Sequence, residues 1–137
     1  MARNKNLVIF LFLALLVFMN SCRERTFEAS FRTMFVPKDS LTEYSLDIYA
    51  RAVKSELTDK KTDIPIEIVL TSPSGTTYTD VRNLVFDKAE SRQVGGWIDF
   101  TWRYRKEVQF PENGEWQFSV NCKSRTVVLR DAGIVVK

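Results

Sequence analysis

The strongest constraint on the fold is a regular alternation of apolar and polar residues between Gly96 and Phe110. The apolar side of this stretch consists of Ile98, Phe100, Trp102, Tyr104, Val108 and Phe110. The polar side consists of Asp99, Thr101, Arg103, Arg105 and Glu107. Such alternation indicates a β-strand with one buried face and one hydrated face. Lys106 interrupts the apolar side, which predicts a β-bulge or the end of the strand near that residue.

Three further stretches show the same period of two, and the chain has no sustained helical periodicity. They are residues 44–52, 64–70 and 116–122. Ser72-Pro73-Ser74-Gly75 has the residues of a β-turn, and Pro111-Glu112-Asn113-Gly114 is interpreted as a hairpin connection. The polar residues 55–63 and 88–96 are predicted to be loops. Pro65 comes early in its run, which suits the edge of a sheet.

These signals predict an all-β fold. Seven or eight strands separated by turns are typical of a single antiparallel β-sandwich, and a small barrel is the alternative. Removing the 21 residues before Cys22 would leave 116, which is enough for one domain. We therefore assign residues 31–137 to one β-sandwich domain.

The N-terminal residues carry a separate pattern. Arg3 and Lys5 precede the apolar run Leu7–Met19, and Ser21 stands directly before Cys22. A basic head, an apolar segment and a small residue before the cut are typical of a secretory signal, and a cysteine at the cut is the bacterial lipobox pattern. The apolar run has 13 residues, whereas a helix needs about 20 to cross a membrane. An uncleaved transmembrane helix and a secreted protein with a chance cysteine are the alternatives.

We therefore predict a signal peptide at residues 1–21, cleavage before Cys22, and a lipidated tether at residues 22–30. Lipid on Cys22 would hold the protein on the membrane, because several acyl chains bind more firmly than one. The processed chain would keep 18 basic and 17 acidic residues. Because these charges are interspersed, they indicate hydrated faces and no nucleic-acid partner.

The residue types argue against catalysis. The chain has no histidine, which removes the commonest general base and metal ligand. It also has no phosphate-binding glycine loop of a common spacing. The carboxylates that remain as candidates, Asp87, Glu90, Asp99 and Glu112, are spread over loops and hydrated faces. Cys122 is in phase with apolar neighbours and is expected to be a buried thiol. We predict no enzymatic activity, no metal site and no cofactor.

Two aromatic residues fall out of phase with the predicted core. Trp97 is expected to point outward or to cap one end of the sandwich, and Tyr49 is out of phase in its own strand. Both are candidate contact residues. An exposed platform of aromatic rings would favour a surface lipoprotein that binds carbohydrate or mediates adhesion, which is the alternative function.

The order of several short motifs resembles the gliding motility lipoprotein GldH family of Bacteroidota. The motifs are Ser72-Pro73-Ser74-Gly75 with Asp80, Asp87 with Gly95-Gly96-Trp97, Tyr104–Pro111, Gly114–Phe118 and Leu129–Ile134. The resemblance covers residues 30–137. It implies a non-catalytic envelope lipoprotein that supports assembly or stability of the gliding apparatus and its type IX secretion machinery through contacts with other envelope proteins.

The resemblance also bears on location and on one further residue. The chain has no acidic run directly after Cys22, such as often directs lipoproteins of this phylum to the cell surface. This favours the periplasmic face of the outer membrane, and the outer side of the inner membrane is the alternative. Asp131, in the motif Arg130-Asp131-Ala132-Gly133, is the polar residue that we select as a third candidate contact. A local Asx hydrogen bond in a turn is the simpler interpretation of Asp131.

Overall fold

The structure is a computed structural model that describes residues 26–57, 63–124 and 127–137. The signal peptide 1–21 and Cys22 lie outside the described residues. The described chain forms eight strands: β1 (Phe27–Phe35), β2 (Tyr44–Val53), β3 (Asp63–Thr71), β4 (Thr77–Val85), β5 (Glu90–Val94), β6 (Trp97–Val108), β7 (Trp116–Ser124) and β8 (Leu129–Val136). Two single-turn 3₁₀ helices, Lys54–Glu56 and Phe86–Lys88, follow β2 and β4. No helix within the described ranges is long and apolar enough to span a membrane.

The strands form two four-stranded antiparallel sheets. Sheet I has the order β1-β7-β3-β4, and sheet II has the order β5-β6-β2-β8. Their inner faces enclose one hydrophobic core. The predicted all-β sandwich is therefore confirmed.

The two ends of the sandwich can be told apart by where each strand begins. The near end, as we call it, is where β1 begins: Phe27 pairs there with Ser124. The chain then crosses to sheet II, where Leu129 pairs with Ala52. At the opposite or far end, Phe35 packs against Tyr44, with ring centroids 5.1 Å apart. The chain ends there too, since the Ser45 and Lys137 backbones exchange two hydrogen bonds of 2.9 Å.

The inward residues of the strands build the predicted core. Trp102 and Trp116 are only 8% and 2% exposed. Each belongs to an aromatic cluster, the first with Phe86 and Phe100 and the second with Phe110. Cys122 is buried, as predicted, and burial raises the pKa of its thiol.

Two local predictions agree with the structure, and a third does not. In the Ser72–Gly75 turn the Gly75 amide donates to the Ser72 carbonyl at 2.9 Å, and Gly75 has φ +90°. The β2–β6 ladder shifts register beside Lys106, where Glu107 has φ +55°. The expectation that Pro65 lies at the edge of a sheet is wrong, because β3 is a central strand. Pairing of β3 with β7 begins only at Ile66, so no hydrogen bond to β7 is lost at Pro65.

Three other local predictions need correction. β1 begins at Phe27, so residues 27–30, assigned to the tether, belong to sheet I. Residues 90–94 were predicted to be loop and form the short edge strand β5. Its inward positions, Ser91 and Gln93, are polar as well, so the sequence shows no alternation there. Pro111–Gly114 is not a hairpin connection, because β6 belongs to sheet II and β7 to sheet I. This segment joins the two sheets at the far end.

Candidate contact surface

The three contact residues predicted from the sequence all lie on one surface, the outer face of sheet II. Tyr49 is on β2, Trp97 is on β6, and Asp131 is on β8. They share this face because each is out of phase with the buried residues of its own strand. Their roles as contact residues stay a prediction.

A row of alternating charges crosses this face from edge to edge. Arg92 on β5 pairs with Asp99 on β6, Asp99 with Arg51 on β2, and Arg51 with Asp131 on β8. We call these four residues the charge row. Opposite charges placed directly across neighbouring strands stabilise a sheet.

The centre of the charge row is a bidentate ion pair between Arg51 and Asp99. Arg51 donates from Nε to Asp99 Oδ1 at 2.6 Å and from Nη2 to Asp99 Oδ2 at 2.9 Å. The hydrogen bond from Arg51 is the main cause that lowers the pKa of Asp99. It also raises the pKa of Arg51, to which the charge of Asp131 contributes further. Arg51 and Asp99, the two inner residues of the charge row, therefore pair with each other.

The outer members of the charge row are more available. Arg92 and Asp131 are both exposed, and they stand on the two edge strands of sheet II. Asp131 lies within β8 and not in a turn, so the prediction of a local Asx hydrogen bond in a turn is wrong. The strand forms because Leu129, Ala132 and Ile134 supply inward apolar side chains.

Tyr49 is partly buried beside the charge row. Its hydroxyl donates to Asp99 Oδ1 at 3.2 Å. Partial burial raises the pKa of Tyr49, and the nearby charge of Asp99 adds to this shift. The partner of Tyr49 on β8 is Gly133, at which an added Cβ would lie 3.0 Å from Thr33 Oγ1. Tyr49 is therefore partly buried and hydrogen-bonded as well as part of this surface.

Trp97 stands apart, at the near end of the same face. It begins β6 directly after the turn Gly95-Gly96, and it is 41% exposed. Its cross-strand partners are the apolar Val53 and Val94. Tyr49 is aligned with Thr101, four residues further along β6, which places the two aromatic residues about 13 Å apart along the strand. They do not form the joined platform that stacking on a sugar requires.

A second polar cluster, which the sequence did not reveal, closes the β4 edge of sheet I. Asp80 accepts hydrogen bonds from the Tyr104 hydroxyl at 2.7 Å, Arg82 Nε at 3.0 Å and Arg105 Nη2 at 3.3 Å. These bonds, with that of Tyr104 foremost, lower the pKa of Asp80. Both guanidinium groups also lie over the Tyr104 ring, 5.5 and 5.2 Å from its centroid. Asp80 lies in sheet I, whereas Tyr104 and Arg105 lie in sheet II. The spacing of these residues in the sequence therefore did not indicate their contact.

The carboxylates considered for catalysis are not gathered into one site. Asp99 belongs to the charge row, and Glu112 accepts the Ser74 amide at 3.2 Å at the far end. Within the described ranges, no group of three His, Cys, Asp or Glu residues is placed to hold a metal ion.

Comparison of the chain with protein-family models, with curated proteins and with solved structures gave no match.

Proposed function

We propose that this chain is a non-enzymatic envelope lipoprotein that supports assembly or stability of the gliding motility and type IX secretion apparatus. In this proposal, lipid on Cys22 holds it at the periplasmic face of the outer membrane. The sandwich then contacts other envelope proteins. The resemblance to the GldH family and the lipobox at Ser21-Cys22 support this role.

The single observation that carries the contact role is the arrangement of the charge row. Arg51 and Asp99 neutralise each other at its centre, at distances of 2.6 and 2.9 Å. Arg92 and Asp131 remain exposed at its two ends, on edge strands. Exposed charges of opposite sign at fixed spacing can orient a partner with complementary charges. The edge strands themselves offer backbone groups to an added strand.

The test is partner capture in the native host. We would tag the C-terminus, crosslink intact cells, extract the membranes in mild detergent and identify the captured proteins by mass spectrometry. A double variant, Arg92→Gln with Asp131→Asn, removes the outer charges without changing net charge. We expect it to recover about tenfold less partner, which corresponds to about 1.4 kcal/mol.

The matched control is Arg32→Gln with Glu67→Gln on the outer face of sheet I, where both residues are also exposed. This variant is expected to capture partners as the unmodified protein does. Equal capture by both double variants would contradict the contact role of the charge row. Normal secretion and motility in a clean deletion strain would contradict the role in the apparatus. A preparation that retained glycan and no protein would favour the adhesive alternative.

A further inference from the structure

We propose that the tip of the β5–β6 hairpin rests in the headgroup layer of the membrane and fixes how the sandwich stands on it. The tip consists of Val94, Gly95, Gly96 and Trp97, with Lys54 beside it. This inference rests on the proposed lipid anchor at Cys22 and adds a second membrane contact. The binding partner that we propose for this tip is a lipid surface.

The topology places this tip at the end of the domain from which the anchored segment leaves. β1 begins at the near end, where Phe27 pairs with Ser124. In sheet II the same end holds the pair of Leu129 with Ala52, and the adjacent residue Val53 pairs with Trp97. The hairpin turn therefore lies on the same side of the molecule as the start of β1.

The length of chain between the anchor and the fold keeps that end close to the lipid. Only four residues, 23–26, separate Cys22 from Phe27. When this segment is fully extended, the distance from the Cα of Cys22 to the Cα of Phe27 is about 17 Å. β6 lies in the opposite sheet, two strands from the edge that faces β1. At ordinary strand and sheet spacings, the distance between β1 and β6 is about 14 Å. The hairpin is thus within the range of a membrane that holds Cys22.

The chemistry of the tip suits the interface between lipid and water. Trp97 and Val94 are 41% and 42% exposed although both are large and apolar. Tryptophan concentrates at membrane interfaces, where its ring contacts apolar chains and its N–H remains hydrated. The Lys54 amide donates to the Gly96 carbonyl at 3.0 Å, which holds an exposed lysine next to the turn. A lysine in that position can approach lipid phosphates.

Tryptophan fluorescence can test this contact, because Trp97 differs in exposure from Trp102 and Trp116, which are 8% and 2% exposed. We would place the mature full-length protein in phosphatidylcholine vesicles with acyl chains brominated near the headgroup. Bromine quenches a tryptophan that lies close to it. The signal of Trp97 is the difference between the unmodified protein and Trp97→Phe, and we expect about a twofold loss of that signal relative to unbrominated vesicles.

A second variant moves the probe to the far end. Tyr78 is 53% exposed and lies one residue after the start of β4, at the far end. Tyr78→Trp combined with Trp97→Phe is expected to show no quenching by the brominated lipid. Circular dichroism checks that both variants keep the β-fold.

The acyl mass on Cys22 is measured in the same samples, which separates the two proposals. Acylated protein whose Trp97 signal is quenched supports the hairpin contact. Acylated protein whose Trp97 signal is unaffected overturns the hairpin contact and leaves the anchor intact. Protein without an acyl mass overturns both.

Discussion

Gly114 illustrates how a single residue sets the connection between the sheets. It has φ +121°, a conformation that residues with a side chain rarely adopt. An added Cβ would also lie 3.1 Å from the Cβ and Cγ of Pro73. The neighbouring Trp116 donates from its indole Nε1 to the Glu112 carbonyl at 2.9 Å, which holds the turn against the core. The Asn113-Gly114 pair was a turn signal in the sequence, and the structure adds the contact with Pro73.

Replacing Gly114 by valine is therefore expected to destabilise the domain by about 1–3 kcal/mol, because valine would be strained at this φ and its side chain would meet Pro73. Thermal unfolding followed by circular dichroism measures this as a lower melting temperature. Gly96→Val is the control, since an added Cβ at Gly96 meets no atom within 4 Å. Equal melting temperatures for Gly114→Val and the unmodified domain would contradict the requirement for glycine in this turn.

Among the elements, β4 carries charged residues on its inner face. It is an edge strand, and two of its inward positions are the charged residues Asp80 and Arg82, which pair with Ile68 and Ile66 of β3. The hydrogen bond between Tyr104 and Asp80 joins this strand to β6 of the other sheet. Inward charges on an edge strand also discourage pairing with another chain.

The variant Asp80→Ala is expected to loosen β4, because Tyr104, Arg82 and Arg105 lose their shared acceptor. We expect faster hydrogen exchange in β4 and a loss of about 1 kcal/mol at pH 7, since Asp80 is partly solvent-screened. Thr79→Ala, on the exposed side of the same strand, is the control and is expected to exchange as the unmodified protein does.

The same variant carries a pH dependence with a defined sign. The pKa of Asp80 is lowered in the folded protein, first by the Tyr104 hydroxyl. A carboxyl group with a depressed pKa stabilises the fold above its ordinary pKa, about 3.9, and this contribution is lost as the pH falls through the folded value. The stability difference between the unmodified protein and Asp80→Ala should therefore shrink below about pH 4. A difference that grows on acidification would contradict this account.

A strand could be predicted from the sequence where its inward residues are apolar and its outward residues are polar. β6 and β7 show clear alternation, so their inward Trp102 and Trp116 were assigned to the core. β5 has no buried residue, so its period of two left no signal, and it forms because it pairs with β6. The assignment of Pro111–Gly114 failed for a different reason, since a turn signal does not tell whether the next strand joins the same sheet.

The candidate surface was predictable only in part. Parity alone placed Trp97 and Tyr49 outside the core. The charge row depends on the register that sets Arg51 between Asp99 and Asp131, and register between strands far apart in sequence cannot be read from one chain. Asp131 was selected through a resemblance, and its position opposite Arg51 gives it a physical context.

For the molecule as a whole, the proposed anchor depends on one thiol of two. Cys22→Ala is expected to abolish the acyl mass and to leave the protein unprocessed or released from the membrane fraction. Cys122→Ala is the matched control: because Cys122 is a buried thiol within β7, its replacement is expected to leave acylation unchanged. Mass spectrometry of membrane fractions measures both, and an acyl mass that persists on Cys22→Ala would contradict the anchor.

The pairing of the first strand with the seventh has a kinetic consequence. Phe27 meets Ser124, and β2 meets β8, so neither sheet can close until almost the whole chain is present. Among the strands that the structure describes, only the β3–β4 and β5–β6 pairs join strands adjacent in sequence. All-β domains with such distant pairings fold in about milliseconds to seconds, slowly for their size. If the chain is exported N-terminus first, as the proposed signal peptide implies, the segment after Cys22 cannot pair with its neighbour until β7 has emerged, and this delay favours an unfolded chain during export.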